Sequence, residues 1–298
     1  MDKLSFQRHL IDPNSPERRP KRAAYALPML FTAGNVFLGF LAIMKSFQGA
    51  LWAMSGHMES NPNFEIAAKA IGVAVLLDGL DGRIARLTGT TSEFGREMDS
   101  LADVISFGVA PAVLGLAWGA QFVDLTWSPF LSNYLPRTAY FIGFLFLVCG
   151  AVRLARFNVQ KNPVPKNPGR SNHKYFVGLP IPAAAGLVDA IVYACDSAPI
   201  EFWPLSLAWL ALLALLGFLM VSTWRYRSLK DMQLLRPLSP LTVILYGASF
   251  YLIWNFPQAT LLALSVTYVG SGIVVRVGGA VRRRLHRHPQ PEPQRQPG

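Results

Sequence analysis

Apolar residues in this chain come in runs of about 18 to 22, and that grouping limits its fold more than any other feature. Such a run, wound as a helix, crosses a hydrocarbon core about 30 Å thick. In lipid the backbone N–H and C=O groups must find partners within the segment, so helices are the form these runs take. Eight runs are readable, at about residues 26–47, 66–87, 97–119, 139–157, 177–195, 204–222, 238–254 and 258–275. The expectation is an all-α polytopic integral membrane protein. Composition agrees: of 298 residues, 52% are apolar and 15% charged, and the mean hydropathy is positive.

A net charge of +11 raises the question of nucleic acid, but the positions of the charges exclude it as a partner. Lys and Arg lie between the apolar runs and at the chain ends, where they set topology. Arg8, Arg18, Arg19, Lys21 and Arg22 precede the first run. Lys161, Lys166, Arg170 and Lys174 follow the fourth, Arg225, Arg227, Lys230 and Arg236 follow the sixth, and a basic tail ends the chain. The alternate loops hold almost none, Arg137 being the main exception. Eight spans with both termini cytoplasmic, in an inner membrane, satisfy this bias. The first run lacks a clear small-residue cleavage site and is expected to be retained as a helix. Cys149 and Cys195 fall inside apolar runs and read as small core residues, not as a disulfide. The tail, about residues 277–298, is basic and then Pro/Gln-rich, so disorder is expected there.

The chemistry is concentrated in LLDGLDGRIARLTGTTSEFGREMDSLADVISFG, residues 76–108. Asp78 and Asp81 are three apart, and Asp99 and Asp103 four apart, so each pair shares a helix face. A polar, Gly-containing turn between them lets two helices return antiparallel and aim four carboxylates at one point. Carboxylates that converge repel one another unless a cation sits between them. Oxygen-only ligands favour Mg²⁺ or Mn²⁺, and four carboxylates have room for two ions. The charge bias puts this stretch at the cytoplasmic mouth of spans 2 and 3.

The full spacing, D-x-x-D-G-x-x-A-R-x8-G-x3-D-x3-D from Asp78 through Gly82, Ala85, Arg86 and Gly95 to Asp103, resembles the signature of the CDP-alcohol phosphotransferase family. That resemblance implies transfer of a phosphatidyl or similar group from a CDP-linked donor to an alcohol, with release of CMP. It implies metal binding by Asp78, Asp81 and Asp99, with Asp103 sharing metal binding and general-base duty. It also implies that Gly82 lets the backbone approach the nucleotide, with Gly95 beside it, and that Arg86 clamps a phosphate. Thr32 and Asn35, polar residues in the first run, are the candidates from span 1 for the CDP group, since Met29 follows Pro28 where the family is expected to have Asn. A catalytic core at 25–222 is expected, flanked by a basic segment at 1–24, with two added spans at 223–276. A homodimer is what the family implies.

FTAGNVFLGFLAI, SFGVAPA, RLARFN and FVGLPIPAAA further resemble the serine-accepting bacterial branch of that family, which implies CDP-diacylglycerol as donor and L-serine as acceptor. Serine brings a carboxylate and an ammonium, so its pocket needs a cation and some acceptors. Arg153 and Arg156, three apart near the same membrane side, fit the carboxylate or the donor phosphates; Ser106 and Asn158 are further candidates. Asp189, deep in span 5, is expected to face something polar. Two alternatives stay open: glycerol 3-phosphate or inositol phosphate as acceptor, or a cation-coupled transporter. Against the transporter, no second copy of the carboxylate pattern follows in spans 5–8.

Overall fold

In the computed structural model, residues 22–87, 93–126, 128–160, 175–227 and 240–285 are described. The expected N-terminal segment up to residue 21, the basic loop with Lys166, Arg170 and Lys174, the loop with Lys230 and Arg236, and the tail beyond residue 285 lie outside them. So does the side chain of Arg86. The regular elements among the described residues are helices, save two three-residue strands. The helices are α1 (Arg22–Met54), α2 (Pro62–Leu87), α3 (Glu93–Asp103), α4 (Ala110–Gly119), α5 (Pro129–Gln160), α6 (Ile181–Ala194), α7 (Trp203–Val221), α8 (Pro240–Asn255) and α9 (Pro257–Leu285). Among the described residues, five helical stretches are long and apolar enough to cross a membrane: Met29–Met54, Glu93–Gly119, Pro129–Val159, Trp203–Val221 and Pro257–Val274. The all-α polytopic expectation holds.

α1 and α2 form an antiparallel pair closed by one residue. Asn61 accepts hydrogen bonds at Oδ1 from the N–H groups of Asn63 and Phe64 at 3.1 and 3.4 Å, capping α2 just ahead of Pro62. Its Nδ2 donates to the Gly49 carbonyl of α1 at 2.9 Å. The pair then runs to the opposite end, where the carboxylates lie.

α3 continues through a π-helical turn, Val104–Val109, into α4. Pro111 supplies a cause: it has no N–H to give the turn before it, and its ring crowds the carbonyl four residues back. The widened turn begins at the residue after Asp103.

Two expectations about spans are corrected. The run at 177–195 is not one long helix: α6 has 14 residues, a length of about 21 Å, short of the membrane core. Its first residue, Val177, instead closes strand β1 (Tyr175–Val177), which pairs antiparallel with β2 (Arg225–Arg227), Phe176 opposite Tyr226. Gly178 makes the turn between β1 and α6 with φ of 82°, and a Cβ there would collide with the Met220 carbonyl. α6 sits inside the bundle, with Ile181, Ala184, Ala185, Val188 and Val192 fully buried, so it has little need of a lipid-length face. The fourth span also begins about ten residues earlier than expected, at Pro129.

α4 and α7 are pinned to each other by Trp209, whose Nε1 donates to the Gly115 carbonyl at 2.8 Å. Its ring meets Trp118 edge-on at 4.9 Å. Phe37, Phe40 and Phe47 on α1 and Phe141 and Phe144 on α5 are exposed, as lipid-facing residues are. Cys149 is half-buried but Cys195 is exposed, because α6 ends at Ala194 and leaves it in the cap; both thiols are free. Asp189 is buried with Oδ1 unpartnered, and its Oδ2 lies 3.0 Å from where a Cβ on Gly72 of α2 would stand.

Candidate metal centre and acceptor pocket

Asp78 near the end of α2, and Asp99 and Asp103 one turn apart on α3, bring carboxylate oxygens within 4.8 Å of one another. Helical spacing aligns the two on α3, and the α2–α3 return brings up the third. Asp103 is 9% exposed, and its Oδ1 is buried with no hydrogen-bond partner. Three carboxylates at that separation, one with an orphaned oxygen, are a donor set suited to a hard divalent cation. The residues fit the expected metal.

Asp81 stands apart from that group. Its Oδ2 accepts a 2.6 Å hydrogen bond from Thr32 Oγ1 across the α1–α2 contact, and both residues are 7% exposed. One turn on, Asn35 is buried with its Oδ1 unpartnered. Thr32 and Asn35 thus lie on the α1 face turned to the carboxylate helices. Gly82 and Gly95 are half-buried.

The acceptor candidates divide by position. Ser106 donates its hydroxyl to the Asn35 carbonyl at 2.8 Å, within a contact where a Cβ on Gly39 would stand 2.5 Å from Ser106 Oγ. It fastens the π turn to α1. Asn158 donates through Nδ2 to Ser100 Oγ at 2.8 Å, and Ser100 donates to the Arg96 carbonyl at 3.0 Å; this braces α5 against the turn that carries Asp99. Arg156 is exposed. Arg153 turns inward: it lies within electrostatic reach of Asp103 and of Tyr268 on α9, and its Nε is buried without a partner.

Ser100 and Tyr268 escaped the sequence reading. Ser100 sits beside Asp99, and a polar residue in the aspartate stretch was a usable signal. Tyr268 carried none, being one aromatic in an apolar run.

These features define an integral membrane protein of the all-helical class with a carboxylate-lined, metal-competent centre at the end of its second and third long helices. The chain belongs to the CDP-alcohol phosphatidyltransferase family, whose model matches residues 25–222. It is 37% identical over 214 residues to a protein from Helicobacter pylori named CDP-diacylglycerol–serine O-phosphatidyltransferase, covering 72% of this chain and 77% of that one. A Saccharomyces cerevisiae protein of the same name is 36% identical over 53% of this chain and 50% of its own length. An archaetidylserine synthase from Methanothermobacter thermautotrophicus is 38% identical over 55% of this chain and 57% of its own.

Proposed function

We propose that this protein transfers the phosphatidyl group of CDP-diacylglycerol to the hydroxyl of L-serine, giving phosphatidylserine and CMP for phospholipid biosynthesis. Family membership and the activities named for its relatives support the donor and the acceptor. The observation that carries the reading is the neighbourhood of Asp103: a carboxylate with a buried, unpartnered oxygen, grouped with Asp78 and Asp99 and facing Arg153.

Asp78, Asp99 and Asp103 would hold Mg²⁺ or Mn²⁺, with Asp81 available to a second ion. A metal held there would supply positive charge to the diphosphate as CMP departs. Asp103 accepts the serine hydroxyl proton. The serine oxygen then bonds to the lipid-linked phosphorus as the bond from that phosphorus to the CMP oxygen breaks. Thr32 fixes the Asp81 carboxylate, and Asn35 Oδ1 offers an acceptor to a hydroxyl or amine of the cytidine group. Gly82 and Gly95 leave room for the nucleotide against the backbone, with Arg86 on a phosphate. Arg153 takes an anionic group of the acceptor, with Arg156 at the mouth.

The diacyl chains remain in lipid and reach the centre between helices. The reading includes the inner membrane, both termini and the centre on the cytoplasmic side, a core at 25–222 and a homodimeric assembly. An acceptor panel tests it: purified protein, CDP-diacylglycerol and Mn²⁺, with L-serine, glycerol 3-phosphate or inositol phosphate. CMP release with L-serine alone is expected. Release only with a phosphorylated acceptor moves the protein to another branch, and release with none revives the transporter.

A further inference from the structure

Arg153 is a cation in need of an anion. Among the described residues it makes no ion pair, and its Nε is buried without a partner. A guanidinium nitrogen withdrawn from water without an acceptor is costly unless something completes it. Of the groups within its electrostatic reach, Asp103 belongs to the carboxylate centre, and Tyr268 is a phenol. A ligand that met both Arg153 and Tyr268 would therefore carry negative charge and accept a hydrogen bond.

Tyr268 comes from α9, which lies beyond the family-matched residues 25–222. Its placement is built, not incidental. Gly272, one turn on and on the same helix face, has no side chain, and the ring of Tyr226 fills the place where a Cβ would go. Tyr226 is fully buried, its ring 6.2 Å from that of Tyr268 and tilted by 34°. Burial, and then the neighbouring Tyr268, push the Tyr226 phenol up to about 12, so it is a neutral wedge at any working pH. The ribbon behind it is anchored to the end of α7: Gly178 N–H donates to the Trp224 carbonyl at 2.8 Å, and Leu179 N–H to that of Leu219 at 3.0 Å.

We propose that α9 completes the acceptor pocket, the Tyr268 hydroxyl and the Arg153 guanidinium together binding the carboxylate of an amino-acid acceptor, with Tyr226 wedged against Gly272 to hold Tyr268 in place. One guanidinium and one neutral phenol match a single negative charge; a phosphomonoester, nearer two charges, calls for more cations. The inference rests on the serine reading above and adds a specificity element that the family core does not contain.

The test is steady-state kinetics of CMP release by the full chain in detergent, with CDP-diacylglycerol and Mn²⁺, for wild type and Tyr268→Phe. For the variant, the KM for L-serine is expected to rise about tenfold, the effect of one lost hydrogen bond to a charged group. Turnover at saturating serine and the KM for CDP-diacylglycerol are expected to stay within about twofold, since the metal centre is untouched. L-Serinamide, which lacks the carboxylate, is expected to be a poor acceptor for both, and equally poor. A variant that folds with unchanged KM for serine overturns the assignment, as does a wild type that takes serinamide as readily as serine. A wild type active only with a phosphorylated acceptor overturns the serine reading itself, and the carboxylate pocket with it. The two failures are therefore told apart by the wild type alone.

Discussion

Thr32 of α1 donates a 2.6 Å hydrogen bond to the Asp81 carboxylate of α2, across 49 residues of sequence. Both side chains are buried, and a hydrogen bond to a charged acceptor is worth about 1.5–3 kcal/mol. Thr32→Val keeps the shape and deletes the donor, leaving a buried carboxylate short of a partner. The expected result is a rise of about 10- to 100-fold in the Mn²⁺ or CDP-diacylglycerol concentration needed for half-maximal rate. Thr32→Ser, which restores the hydroxyl, is expected to recover most of it. Titration of each variant with Mn²⁺ at fixed donor checks this.

The carboxylate group gives a prediction whose sign differs with and without metal. Asp78, Asp99 and Asp103 crowd their oxygens within 4.8 Å, so in chelator they repel, and with a divalent ion they bind it. Asp99→Asn removes one charge. It is expected to raise the melting temperature measured in EDTA while shrinking the further rise that saturating Mn²⁺ produces in wild type. CMP release is expected to vanish. Wild-type activity is expected to be lost in EDTA and restored by Mg²⁺ or Mn²⁺. A larger metal-induced shift in the variant than in wild type would remove Asp99 from the metal set.

Gly39 reports on the π turn. A Cβ there would stand 2.5 Å from Ser106 Oγ and 2.8 Å from its Cα, and the latter is backbone, which does not yield cheaply. Gly39→Ala is expected to push α1 off the π turn, at a cost of about 1–3 kcal/mol. The Ser106–Asn35 bond lies in the same contact, so activity is expected to fall with stability. A thermal melt in detergent beside the CMP assay reads both; an unchanged melt would mean that α1 and the π turn are not in this register.

Run length and loop charge were enough to read a helical membrane protein, because lipid forces apolar stretches of that length into helices. Spacings of three and four between aspartates were enough to read a carboxylate centre, because a helix repeats on that period. What escaped depends on contacts between distant residues. Asp81 shares its spacing with Asp78, and only Thr32, far back in α1, draws it to a separate partner. The run at 177–195 is as apolar as a spanning helix, yet Val177 pairs with Arg225 in a strand and the helix starts only at Ile181. Arg153 and Arg156 look alike in sequence, and only the rotation of α5 against α3 and α9 separates the inward one from the outward.

That last difference can be measured. Arg153 has a buried, unpartnered Nε and faces Asp103 and Tyr268, while Arg156 is exposed. A charge held out of water interacts far more strongly with a bound anion than one screened by solvent. Arg153→Ala is therefore expected to raise the KM for L-serine by about 100-fold or more, and Arg156→Ala to raise it several-fold less. Arg153→Lys keeps the charge and loses the planar fork, so it is expected to fall between wild type and Arg153→Ala. Initial rates of CMP release against serine concentration, at saturating CDP-diacylglycerol and Mn²⁺, order the four proteins. If Arg153→Ala left that KM untouched while Arg156→Ala raised it, the acceptor would bind at the outer face of α5, and the inward arginine would serve the donor phosphates instead.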